Sequence, residues 1–169
     1  MNQVLSTIGY QGPNILLVAI LIIFLYSNIN NPYLYLAVIV WQLLSHLINV
    51  IIKNTLRLPR PDSEPTEFAK VKKSVSFKNY LIVHREFGMP SGHAQATVSE
   101  FTFIALITHY LTITPLITAA ALVQTLVTVW QRYTTKRHSA MQLLAGSLIG
   151  IAVGVAFYVA VIKCYMKII

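Results

Sequence analysis

Lys53 and Arg60, the Pro90-Ser91-Gly92-His93 run, and Arg132 followed by His138 are the residues of this 169-residue chain best suited to phosphate chemistry. A phosphate ester needs cations and N–H donors around its equatorial oxygens. Arg60 and Arg132 offer bidentate guanidinium forks, and Lys53 a compact charge. Lys53 and Arg60 are two helical turns apart and share a face if their helix runs that far. Pro59 and Pro61 stiffen the end of that segment. Pro90-Ser91-Gly92-His93 reads as a helix start: Ser91 caps, Gly92 admits a close backbone approach, and the free N–H groups form an anion site. His93 sits in that first turn, where a leaving oxygen would lie. Two histidines suggest a division of labour, one attacking phosphorus and the other protonating the leaving group. Surrounding cations keep an attacking imidazole neutral. Gln142 lies four residues after His138. On one helix its amide oxygen accepts the ring N–H and fixes the tautomer.

Lys53-x6-Arg60-Pro61, Pro90-Ser91-Gly92-His93 and Gln131-Arg132-x5-His138, in that order, resemble the three signature motifs of the type 2 phosphatidic acid phosphatase superfamily. Members of that superfamily hydrolyse lipid phosphates and diphosphates without a metal, on a helical bundle. The resemblance implies His138 as nucleophile through a phosphohistidine and His93 as general acid. It implies Lys53, Arg60, Ser91, Gly92 and Arg132 as the phosphate cradle, and no cofactor. Two positions depart from the common third motif, which begins Ser-Arg and has Asp four residues after its His; here they are Gln131 and Gln142. The run Gly88 to Gln95, with His138-x3-Gln142, looks most like the dolichyl diphosphatase branch. That likeness implies a polyisoprenyl diphosphate substrate, an endoplasmic reticulum or other endomembrane location, and a lumenal site. The alternative within the superfamily is a phosphatidate or phosphatidylglycerophosphate phosphatase. The alternative outside it is a bundle that binds lipid without catalysis.

These residues need elements to position them, and the composition says which. Charged residues make up 11% of the chain, against about 25% in soluble domains. The mean hydropathy is +0.64, and Lys53 is the first charged side chain. The fold class is all-α, a single-domain polytopic membrane helical bundle over residues 1–169. Apolar runs near 20 residues cross a hydrocarbon layer of about 30 Å. Five spans are expected: about Asn14–Ser27 (extending toward Ser6), Tyr33–Ile52, Gly92–Leu111, Pro115–Trp130 and Ser139–Ile162. The superfamily's membrane members usually have six, and the missing one precedes the first motif. The first segment lacks the positive n-region of a cleavable signal. Asn28–Pro32 reads as a turn and Thr112–Pro115 as a tight connection. Lys53–Met89 is the long polar stretch. It holds a loop at Asp62–Pro65 and a short basic helix over Thr66–Val75, where Phe68, Val71 and Val75 recur at helical spacing. Such a helix suits the headgroup level.

With five spans, every Lys and Arg except Lys163 and Lys167 falls at one end of the bundle. A net charge of +8 placed that way disfavours nucleic acid and favours a membrane lipid with an anionic headgroup or phosphate. The positive-inside tendency puts that end in the cytosol, opposite to what the dolichyl-type likeness implies. Cys164 is the single cysteine, so no internal disulfide forms. Asp62, Glu64 and Glu67 read as a solvated loop, not a metal site. His46 reads as paired within the bundle, His109 as lying near the far end of its span, and His84 as near the site face beside Arg85. Gly146, Gly150 and Gly154 form a small-residue stripe that permits close helix packing within the bundle.

Overall fold

The computed structural model describes residues 3–27, 32–76, 79–82, 86–111 and 115–166, with side chains to 163. Seven helices and no strand occur among them: α1 Gln3–Tyr10, α2 Gly12–Tyr26, α3 Pro32–Leu56, α4 Pro65–Ser74, α5 Gly92–Tyr110, α6 Pro115–Thr134 and α7 Ala140–Met166. Most of the expected turn at Asn28–Pro32 and of the connection at Thr112–Pro115 lies outside the described residues, as do His84, Arg85 and Lys167.

Proline marks several helix starts, at Pro13, Pro32, Pro65 and Pro115, where its missing N–H is not needed. Ser91 starts α5, its Oγ accepting the Ala94 N–H at 3.4 Å. α3 and the Ala140–Lys163 part of α7 are each long and apolar enough to cross a membrane. The α1–α2 pair adds a third if its 59° bend lies within one span. α4 matches the expected basic helix. Its lysines are exposed, and Phe68 sets its ring edge-on to Phe87 at 6.1 Å.

α5 is the central helix, packed against α2, α3, α6 and α7. Its closest neighbour is α7, through the glycine stripe. A Cβ at Gly146, Gly150 or Gly154 would stand 2.5, 2.6 or 2.5 Å from the carbonyl oxygens of Ser91, Gln95 and Ser99. The stripe therefore serves the bundle, as expected. Below the site, Trp41 stacks on Phe157 at 4.2 Å, and Phe103 packs against both. Leu16, Ile20, Phe24 and Val38 complete this core. The outer faces are apolar too: Leu43, Leu126 and Leu148 are exposed, while Ser45, Asn49, Gln95, Thr97 and Thr128 are buried. Polar groups turned inward and leucines turned outward are what a hydrocarbon solvent selects.

Candidate active site

α3 runs past the expected end of its span to Leu56 and stops there. Arg57 takes a left-handed φ of 47°, and its N–H bonds the Lys53 carbonyl at 2.9 Å. Lys53 is thus on the helix, but Arg60 is not, and the two reach the same cavity from different elements. The chain after Arg57 lies alongside residues 86–88. The Gly88 N–H donates to Leu58 O at 2.8 Å, and the Arg60 N–H to Glu86 O at 3.2 Å. This pairing ties the first basic stretch to the Pro90-Ser91-Gly92-His93 helix start. α6 continues to Thr134, so Arg132 sits on its last turn. The chain then turns through Lys136, at φ 56°, and the His138 N–H returns to Arg132 O at 3.2 Å.

Lys53, Arg60, Gly92, His93, Arg132 and His138 all line one cavity of about 370 Å³. Lys53 is 5% exposed and Arg132 7%. Salt bridges among the described residues include Lys70–Glu67 at 2.8 Å and Arg137–Asp62 at 3.1 Å. Neither involves Lys53 or Arg132, and the Arg132 Nε has no hydrogen-bond partner among the described residues. Asp62 and Glu67 are paired with cations, and no cluster of His, Cys, Asp and Glu able to hold a metal occurs among the described residues.

His138 is 2% exposed. Its Nδ1 is 2.9 Å from the Gly88 carbonyl oxygen. A carbonyl only accepts, so Nδ1 carries the proton and Nε2 is left with its lone pair. Burial, then the charges of Arg60, Lys53 and Arg132, pull the His138 pKa from its ordinary 6.5 down to about 3. The ring is neutral at any physiological pH, as an attacking nitrogen must be.

Gln142 does not orient that ring. α7 begins at Ala140, so His138 precedes the helix and the i,i+4 neighbour rule does not reach it. Gly88 O takes the role expected of the amide. Gln142 instead joins three stretches. Its Oε1 accepts the Ser139 N–H at 3.1 Å, its Nε2 donates to Pro59 O at 2.7 Å, and its own carbonyl accepts the Ser91 N–H at 3.0 Å. Gly88 makes room for it, since a Cβ there would meet Gln142 Nε2 at 2.6 Å. Ser91 is fully buried and is not part of the cavity wall; it acts as the α5 cap. The other departure, Gln131, faces α1. Its Nε2 donates to Ser6 Oγ at 3.4 Å, and Gly9 packs on its stem.

Several cavity residues escape a motif reading. Tyr10, at the end of α1, sets its ring 5.2 Å from the His93 ring and 5.9 Å from the Arg132 guanidinium carbon. The Gly12-Pro13 pair inside the first apolar segment was the signal for the bend that brings it there. His46, expected within the bundle, also lines the cavity. Asn49 and Gln95 form a neutral polar wall. The Asn49 amide donates to Gln95 Oε1 at 2.8 Å, and Gln95 Nε2 donates to the Ser45 carbonyl at 2.7 Å.

A family model described as the PAP2 superfamily matches residues 32–165. The chain belongs to the PAP2 superfamily. That match covers all three stretches that converge on the cavity, from Lys53 through Gln142. Neither a curated protein nor a solved structure gives a significant match. PAP2 superfamily members are phosphatases, and the apolar helices suit a membrane setting.

Proposed function

We propose that the chain is a membrane lipid phosphatase working through His138. The observation that carries this reading is the convergence of Lys53 and Arg132, buried and without a carboxylate partner among the described residues, with Arg60 and two histidines on one cavity. Buried cations without counter-ions cost several kcal/mol each, of the order of ~5, and a phosphate dianion would supply the missing charge. His138 Nε2 attacks phosphorus, the ester P–O bond breaks, and His93, protonated once the bound phosphate dianion offsets the surrounding cations, gives its proton to the leaving oxygen. Water then attacks the phosphohistidine, returning its proton to His93 and releasing inorganic phosphate. Lys53, Arg60 and Arg132, with the free N–H groups after Ser91, hold the equatorial oxygens.

The likeness of Gly88 to Gln95 and of His138-x3-Gln142 to dolichyl diphosphatases supports a polyisoprenyl diphosphate. The neutral polar wall of Asn49, Gln95 and Ser45 supports the second reading, a glycerolipid phosphate such as phosphatidate. Five crossings are part of the proposal. α5 and α6 have 19 and 20 residues, about 30 Å, and α5 turns its polar side chains toward neighbouring helices. Purified protein should release phosphate from a lipid phosphate in EDTA, and His138→Ala should lower kcat at least a thousandfold. Full turnover by His138→Ala would sink the mechanism.

A further inference from the structure

Glu100 lies in the middle of α5, 1% exposed, and no motif accounts for it. Its Oε1 accepts the Gln42 Nε2–H at 2.6 Å, and its Oε2 has no partner among the described residues. An ionisable group at that depth marks a functional site more often than a structural one. Its partner Gln42 belongs to two spaces at once. It lines the cavity that holds His93 and His138. It also lines an apolar groove between α2 and α3, walled by Leu17, Leu21, Tyr35, Val38 and Leu43.

We infer that Gln42, held in place by Glu100, reads an ester carbonyl at the junction of the substrate's headgroup and its chains. The inference rests on the lipid-phosphatase reading and narrows its substrate class. Gln42 uses one amide N–H on Glu100, and its second N–H remains to donate to a ligand. Glu100 is seven residues below His93 on one helix, about 10 Å along the axis. A leaving oxygen bonded to His93 and a carbonyl bonded to Gln42 add two hydrogen bonds of about 2.9 Å. The glycerol carbons and ester between them extend roughly 6 Å. The total of about 12 Å, against a rise of about 10 Å from His93 to the level of Glu100, sets an ester carbonyl of a diacylglycerol phosphate near the level of Gln42. An isoprenoid chain carries no oxygen there and would set hydrocarbon against the amide. The groove, which shares Gln42 with the cavity, takes an acyl chain. Glu100 is a positioning residue, acting through Gln42 by accepting its N–H.

The test compares dioctanoyl phosphatidate with its dioctyl ether analogue, which lacks both carbonyls. Wild type should favour the ester about tenfold in kcat/KM, the worth of one hydrogen bond. Gln42→Leu should erase that preference by slowing the ester alone. Glu100→Leu should erase it as well, while Glu100→Gln, which still offers an acceptor, keeps it. Thermal shifts of His138→Ala with either lipid give the same comparison without turnover. Binding of ester and ether with equal affinity, or a Gln42→Leu variant that weakens both alike, overturns the inference. Absence of turnover alongside ester-selective binding overturns the phosphatase reading and leaves this one standing.

Discussion

At the scale of single residues, Gln142 shows how a motif position is used. A reading by sequence distance gives it the imidazole four residues earlier. The structure gives it the Pro59 carbonyl and the Ser139 N–H instead, while Gly88 O orients His138. Its substitutions should therefore act on assembly. Gln142→Glu keeps the acceptor for Ser139 but sets a carboxylate against a carbonyl, and should cost about 1–3 kcal/mol of stability. Gln142→Leu loses both bonds and should cost a similar amount. Both should lower the melting temperature in detergent together with kcat. A Gln142→Leu protein with wild-type melting and lost turnover would return the residue to a direct catalytic role. Lys53, Arg60, His93, Arg132 and His138 were legible in the sequence through their order and spacing, which match a motif set in a chain otherwise poor in charge. What they bond was not, because the deciding partners are backbone carbonyls, which every sequence position carries.

At the scale of elements, helix starts were legible from proline and from the Ser91 cap, whereas helix ends were not. α3 outran its apolar run to Leu56, and α6 outran its own to Thr134. The extension carries Lys53 and Arg132 on rigid last turns, not on loops. The α1–α2 break was missed because no charge interrupts the first apolar segment. The α5–α7 contact is set by absence of side chain. Gly150→Leu puts carbon where the Gln95 carbonyl stands, 2.6 Å from the first added atom. Gln95 also holds Asn49 and Ser45, so spreading the pair should disturb the cavity wall as well as the packing. Gly150→Leu should lower the melting temperature by several degrees, as an overpacked core costs about 1–3 kcal/mol. Unchanged melting would contradict the close packing of α5 on α7.

At the scale of the whole molecule, the loops around Asp62, Gly88 and Arg137 meet at the start of α7, through the Asp62–Arg137 ion pair and the His138–Gly88 contact. α7 runs from that end for 27 residues, about 40 Å, placing Lys163 at the other. In a Cys164→Ser background, an impermeant thiol reagent applied to sealed vesicles should reach Glu64→Cys and Lys136→Cys from the same side. Lys163→Cys should be labelled only after the vesicles are opened, or the reverse. Labelling of all three from one side would remove α7 as a crossing.

The 59° bend that lays α1 across α6 also bears on how the molecule is made. Gly9 and Gly12 fit against Gln131 and Thr128, which are translated more than a hundred residues after them. α1 must wait, undocked, until α6 is made and inserted. Tyr10 then reaches His93 only once α6 is in place. Assembly of the cavity therefore waits on the contact between α1 and α6. A change in α1, far in sequence from every motif, reaches the cavity that holds His93 and Arg132.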